Sequence, residues 1–303
     1  MFRPSCPVCG STDTGVVLEA KDYTVSGEIF AIRQCQTCTL RFTWPVPDEQ
    51  HIGRYYHAEN YISHSDTAKG LVNKLYHAVR RISLKQKKHW IEKSTGLTRG
   101  NILDIGCGTG AFLHEMQQSG WDVTGLEPDE GARYIAHKKY GLTTLSSGSL
   151  YDLPKNSFHA ITLWHVMEHI HDLNGYLHQM FRLLHAEGHL FIAVPNYTSL
   201  DAGIYQQCWA AYDVPRHLYH FSPGAMRTLI RQHGLKLEEM HAMPFDAFYI
   251  SLLSEKYKNG RDHYLPGFIN GLRSWAYANT RVEHSSSLLY ILNKQQLIPL
   301  THL

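Results

Sequence analysis

One stretch constrains this chain more than any other, Asn101-Ile-Leu-Asp-Ile-Gly-Cys-Gly-Thr-Gly110. Asn101–Ile105 is a short apolar run bounded by Gly100 and Gly106, the pattern of a buried parallel strand. Glycines follow at alternate positions: Gly106, Gly108 and Gly110. Residues 111–119 then carry Phe112, Leu113 and Met116 at helical spacing, and Gly120 stops the run. The unit reads as strand, glycine turn, helix. Glycine reaches positive φ and leaves no Cβ in a ligand's way. A helix N-terminus adds free N–H groups and partial positive charge. Such a turn suits a nucleotide or an amino-acid carboxylate, although a plain tight connection can carry the same glycines.

Two details narrow the reading. The glycines run G-x-G-x-G, not the dinucleotide G-x-G-x-x-G, and Asp104 lies inside the strand just before them. About twenty residues on, as the dinucleotide folds place their ribose-binding acid, Asp122-Val-Thr-Gly-Leu-Glu127 reads as a second strand ending in a carboxylate. Asp104-Ile-Gly-Cys-Gly-Thr-Gly110 with Gly125-Leu-Glu-Pro128 resembles the cofactor site of class I S-adenosylmethionine-dependent methyltransferases. The resemblance implies an α/β fold, a Rossmann-like seven-stranded sheet with S-adenosylmethionine as cofactor. It places Gly106, Cys107, Gly108 and Gly110 along the methionine part, Glu127 with Pro128 at the ribose, and Asp104 behind the loop. Ser149 and Leu150 fall at the adenine; many relatives carry an acid there, and Asp152 is the nearby substitute.

Charge and cysteine usage bound the rest. A formal net charge of +2 gives no global electrostatic case for nucleic acid. No run of about eighteen apolar residues and no signal-type N-terminus appears, so a cytoplasmic protein is expected. Four of the six cysteines form Cys6-x-x-Cys9 and Cys35-x-x-Cys38, separated by a candidate hairpin. In a cytosolic chain such pairs argue for zinc before disulfides. Four thiolates leave no open position, so the metal would be structural.

The organisation expected is a zinc-ribbon module over 1–45, a connector and long basic helix over 46–95, and a methyltransferase domain over 96–303 with an insertion at 196–221. Tyr55, Tyr56 and Tyr61 mark the connector, as packing or as a lid. The basic helix reads as a solvated face, with an RNA or membrane-surface face as the alternative. Further strands are expected at 142–145, 159–164, 188–195, 235–243 and 287–293. The last should be antiparallel, preceded by two helices over 245–280. The helix around Trp275-Ala-Tyr277 reads chiefly as core, with a ligand wall or dimer face as alternatives.

Phe158-x-x-Ile-Thr-Leu-Trp-His-Val-Met-Glu-His resembles the fourth motif of the same enzymes. His165, Glu168 and His169 would then stand at a strand's carboxyl edge, where open α/β sheets bind ligands. The insertion holds Pro215-Arg-His-Leu-Tyr-His-Phe221. With the four cysteines, this segment resembles a bacterial subgroup of zinc-ribbon methyltransferases. The chemistry needs an oriented nucleophile and a proton acceptor, and histidine serves near neutral pH. The candidate bases are His217, His220 and His169. Tyr219 is a hydrogen-bonding candidate and Arg216 a clamp for an anionic group. A small-molecule acceptor, methylated on O, C or N, is the leading reading. An RNA methyltransferase and a non-catalytic module that merely binds the cofactor are the alternatives.

Overall fold

The computed structural model describes residues 4–56 and 71–295, of which 71–78 are described by backbone alone. Tyr61 and most of the expected connector lie outside the described residues. Strands β1 (Thr14–Lys21), β2 (Ile29–Cys35) and β3 (Arg41–Trp44) come first, and α1 (Leu71–Thr95) follows. Then come β4 (Asn101–Ile105), α2 (Ala111–Gln118), β5 (Asp122–Leu126), α3 (Glu130–Tyr140), β6 (Thr144–Leu145) and β7 (Phe158–Trp164). Next are α4 (Leu173–Leu183), β8 (Leu184–Pro195), α5 (Leu200–Tyr205), β9 (Tyr219–His220) and α6 (Pro223–Gln232). The chain continues through β10 (Leu235–Ala242), α7 (Asp246–Asn259) and α8 (Tyr264–Thr280) to β11 (Ser287–Lys294).

Seven strands form one sheet in the order β10-β11-β8-β7-β4-β5-β6. Strands β4 to β8 are parallel neighbours, whereas β11 runs antiparallel between β8 and β10, as the resemblance implies. The central strands are apolar because helices cover both faces. Ile102, Leu103, Ile161, Leu163, Leu190 and Ile192 are completely buried. Chain order reverses across β4, between β5 and β7, which opens a crevice at the carboxyl edge. The expected third strand shrinks to two residues. Leu142 instead packs beside Gly110, and its N–H closes α3 on Ala136.

The second sheet, β1-β2-β3-β9, joins the cysteine-bearing segment to the insertion. Its last strand is Tyr219–His220, paired with Phe42 and Arg41. The expectation that the Trp275 helix is core is corrected. Gly267, Gly271, Ser274 and Ala278 are its buried face, and Trp275 is 38% exposed. No helix of the described residues is long and apolar enough to cross a membrane.

Candidate functional site

The glycine turn leaves β4 at the sheet's carboxyl edge. Gly106, Gly108 and Gly110 all have positive φ, at 71°, 53° and 79°. The Gly106 and Cys107 N–H groups donate to the Leu126 carbonyl and tie the turn to β5. Glu127, at the end of β5, is buried and closes the other side. Its Oε2 accepts from Gly108 N–H at 2.8 Å and its Oε1 from Asp129 N–H at 3.0 Å. Pro128 follows, its carbonyl accepting from Arg133. Asp104 is buried beneath the turn and accepts from the Thr162 hydroxyl at 2.6 Å. Burial pushes its pKa up to about 7, against the hydrogen bond from Thr162 and the charge of Lys87. The buried Cys107 thiol is also pushed up by burial. Ser149 and Leu150 lie in a 3-10 turn beyond β6, Leu150 wholly buried with its carbonyl taken by Gln179. Asp152 is exposed at the end of that turn.

Across the crevice, β7 delivers a second group. His165 has a left-handed φ of 58° and meets Asp246 at 2.9 Å and Glu168 at 3.6 Å. Burial opposes its charge, but Asp246 and Glu168 outweigh burial and raise its pKa to about 10. Asp246 is the first residue of α7, so this ion pair anchors that helix to the site.

Glu168 is wholly buried, and both carboxylate oxygens lack a hydrogen-bond partner among the described residues. Burial opposes its charge too, yet the neighbouring histidines hold it below the usual range. One carboxylate oxygen and one ring nitrogen each of His169 and His217 lie within 4.8 Å of one another. The two imidazoles meet edge to face at 4.6 Å between centroids. His169 Nδ1 lies 3.0 Å from the Arg216 carbonyl, and His217 Nδ1 lies 2.8 Å from the Ala211 carbonyl. A carbonyl only accepts, so each Nδ1 carries the proton and each Nε2 is left as a lone pair in the neutral ring. Burial, helped by His217, lowers the His169 pKa to about 4, so it is neutral at pH 7. The Tyr56 hydroxyl stands 3.0 Å from His169 Nδ1. A carboxylate and two imidazoles also make a donor set suited to a divalent cation.

The other insertion residues have different surroundings. Arg216 is buried between Asp213 at 2.6 Å and Asp22 at 3.0 Å, and also donates to the Tyr55 carbonyl. His220 is buried with Nε2 3.1 Å from the Thr43 hydroxyl, which itself donates to the His217 carbonyl. Burial, with the nearby His217 and Arg41, keeps the His220 pKa well below its usual value. Tyr219 donates to the His171 carbonyl. The fold thus brings His169 and His217 together and sends Arg216, Tyr219 and His220 to the junction between the two sheets.

Lys87 also stands beside the candidate site, and sequence reasoning missed it. Its ammonium lies over the Trp164 ring at 4.2 Å and within the fields of Asp104 and Asp246. Burial lowers its pKa to about 8 in spite of those two carboxylates. The signal was present: Lys87 falls on the line of Leu84 and Ile91, the inward face of α1. Two other cations of that helix meet acids outside, Lys88 with Glu92 and Lys93 with Glu239.

In the second sheet the four thiols of Cys6, Cys9, Cys35 and Cys38 converge within 4.8 Å of one another. Cys6–Cys38 and Cys9–Cys35 are each 3.5 Å apart, close to the about 3.8 Å expected of thiolates around a tetrahedral zinc.

The methyltransferase domain family matches residues 74–240, more than half of the chain, and spans the glycine turn, Glu127 and the His165–His169 group. The chain belongs to this family. This methyltransferase domain is 28% identical over 163 residues to the mitochondrial ubiquinone biosynthesis O-methyltransferase of Bos taurus, covering 48% of this chain and 44% of that protein. It is 25% identical over 192 residues to the enzyme of the same name from Pseudomonas aeruginosa, covering 57% of this chain and 78% of that one. The chain therefore spans under half the length of the first relative and most of the second. Among solved structures, magnesium protoporphyrin IX methyltransferase from Synechocystis PCC 6803 with bound SAH shares the fold. The match has a TM-score of 0.50 at 12% identity and covers 76% of this chain and 90% of that one.

Proposed function

We propose that the chain is an S-adenosylmethionine-dependent methyltransferase whose acceptor is a small molecule, methylated on O, C or N. One observation carries the reading. A cofactor-type turn follows β4, and His169, with the His217 ring beside it, follows the neighbouring strand β7 at the same sheet edge. When bound, the cofactor supplies a methyl group on a sulfonium that brings its own leaving group. The protein's part is to hold and orient both partners and to take a proton.

Glu127 closes the turn through Gly108 and Asp129, and its two oxygens have lone pairs left for ribose hydroxyls. Lys87 would hold the cofactor's carboxylate and Asp104 its amino group. Pro128, Ser149 and Leu150 would border the nucleoside, and the Gly106–Gly110 backbone the methionine part. His165 is held by Asp246 and fixes the rim. On the acceptor side, His169 or His217 takes the proton through Nε2, while Glu168 steadies the resulting imidazolium. Arg216, Tyr219 and His220 brace the insertion that positions His217. The relatives' names specify O-methylation, which favours a hydroxyl acceptor. The near-neutral formal net charge of +2 favours a small acceptor over RNA.

The Cys6, Cys9, Cys35 and Cys38 cluster fits a structural zinc, and the module boundaries at 45 and 95 belong to the same reading. The reading also expects a cytoplasmic protein. The test is transfer of a labelled methyl from S-adenosylmethionine to a panel of hydroxyl, amine and enolisable acceptors. Whichever of His169→Ala and His217→Ala removes the base should lower kcat by roughly a hundredfold, the scale of general-base catalysis, with cofactor affinity unchanged. Full turnover in both variants would remove the histidine base.

A further inference from the structure

Helix α8 is built with its large side chains outward. A Cβ at Gly267 would stand 2.9 Å from Leu252 Cα, and one at Gly271 would stand 2.8 Å from Phe248 Cα. The small face of α8 therefore packs almost backbone to backbone on α7. The opposite face carries Leu265, Phe268, Ile269, Leu272 and Trp275 at helical spacing, between 38% and 69% exposed. Tyr249 of α7 is 69% exposed. A soluble helix ordinarily buries such a stripe, and a contiguous apolar patch marks a contact surface.

Charge identifies the occupant. Over its 17 residues α8 has a single charged side chain, Arg273. Lys258 and Arg261 are exposed at the tip of the α7–α8 hairpin, and Arg281 at its far end. Two nearby acids are already matched, Asp262 with Lys256 at 3.5 Å and Glu283 with Arg227 at 2.8 Å. An apolar stripe rimmed by cations fits an anionic lipid surface. A two-fold contact through this face would instead bring the rim cations of both copies together.

We propose that the outer face of α8 docks on an anionic bilayer, with the helix lying in the plane of the headgroups. The helix is not long and apolar enough to span. The hairpin links β10 to β11 at the sheet's carboxyl edge, where Asp246 meets His165. Docking therefore holds the mouth of the candidate site beside the membrane. This surface does not depend on which acceptor the site takes.

The experiment is co-sedimentation of the full chain with phosphatidylcholine vesicles, with and without phosphatidylglycerol. Binding should require phosphatidylglycerol and weaken with salt. In Leu265→Ser/Phe268→Ser, partitioning should fall roughly tenfold or more, as loss of two apolar contacts implies. Sedimentation velocity and an S-adenosylmethionine titration of the same variant give its association state and the integrity of the cofactor site. No vesicle binding, binding unchanged in the variant, or a dimer that the variant dissociates would each overturn the proposal, the last by assigning the face to a second copy.

Discussion

Arg216 shows how a residue's chemistry can be read correctly and its task misjudged. Its guanidinium is made for carboxylates, but the carboxylates it meets are Asp22 and Asp213 of its own chain. Removing it would leave both acids without this partner, Asp22 being wholly buried. Arg216→Met should therefore cost about 3–5 kcal/mol, read as a lower denaturation midpoint, with S-adenosylmethionine still bound below it. Unchanged stability would contradict the bracing role. His169 and His220 weaken the fold in acid, against Asp104, whose carboxyl, pushed up to about 7, takes its proton first in the folded chain. Both histidines are held below the ordinary value of about 6.5 by burial in the folded chain. At these two sites the unfolded chain therefore binds protons first as pH falls through about 6.5, and their contribution to stability declines with it. For His169 the loss levels off below its folded value of about 4. His165 works the other way: its contribution is full below about 6.5 and fades as pH rises through about 10. Denaturant melts at pH 7.5 and 5.0 should show His220→Gln losing less stability in acid than the parent chain. An equal slope in the variant would exclude His220 as a source.

At the scale of elements, the glycine turn was legible because everything that makes it is local. Strand, glycines and helix lie within twenty residues, and Glu127 follows one connection later. Gly106→Ala would force a side chain into positive φ and against Val166. S-adenosylmethionine affinity should fall by more than about tenfold with the circular dichroism spectrum kept; undiminished affinity would remove the turn from the site. The insertion was less legible. Its histidines and arginine suit proton transfer as well as bracing, and distant contacts separate those uses: Arg216 meets Asp22, and β9 pairs with β3. That partner strand lies some 180 residues earlier. Lys87 hid among solvated cations until the inward line of α1 was drawn through Leu84 and Ile91. The spacing of Gly267, Gly271, Ser274 and Ala278 was likewise available, and it reverses which face of α8 is inside.

At the scale of the molecule, the sheet that carries the cysteines also ends on the insertion that positions His217. Zinc in the cysteine cluster should thus hold the acceptor side together. The purified chain should contain one zinc, and Cys35→Ser should lose it along with thermal stability and methyl transfer. A metal-free chain of unchanged stability would contradict this coupling.

Calorimetric titration with S-adenosylmethionine, with NAD as comparison, asks whether the cofactor sits on the Gly106–Gly110 turn against Glu127. Micromolar binding of the sulfonium cofactor alone, lost in Glu127→Ala, is the expected result. No binding, or binding of NAD instead, would contradict it.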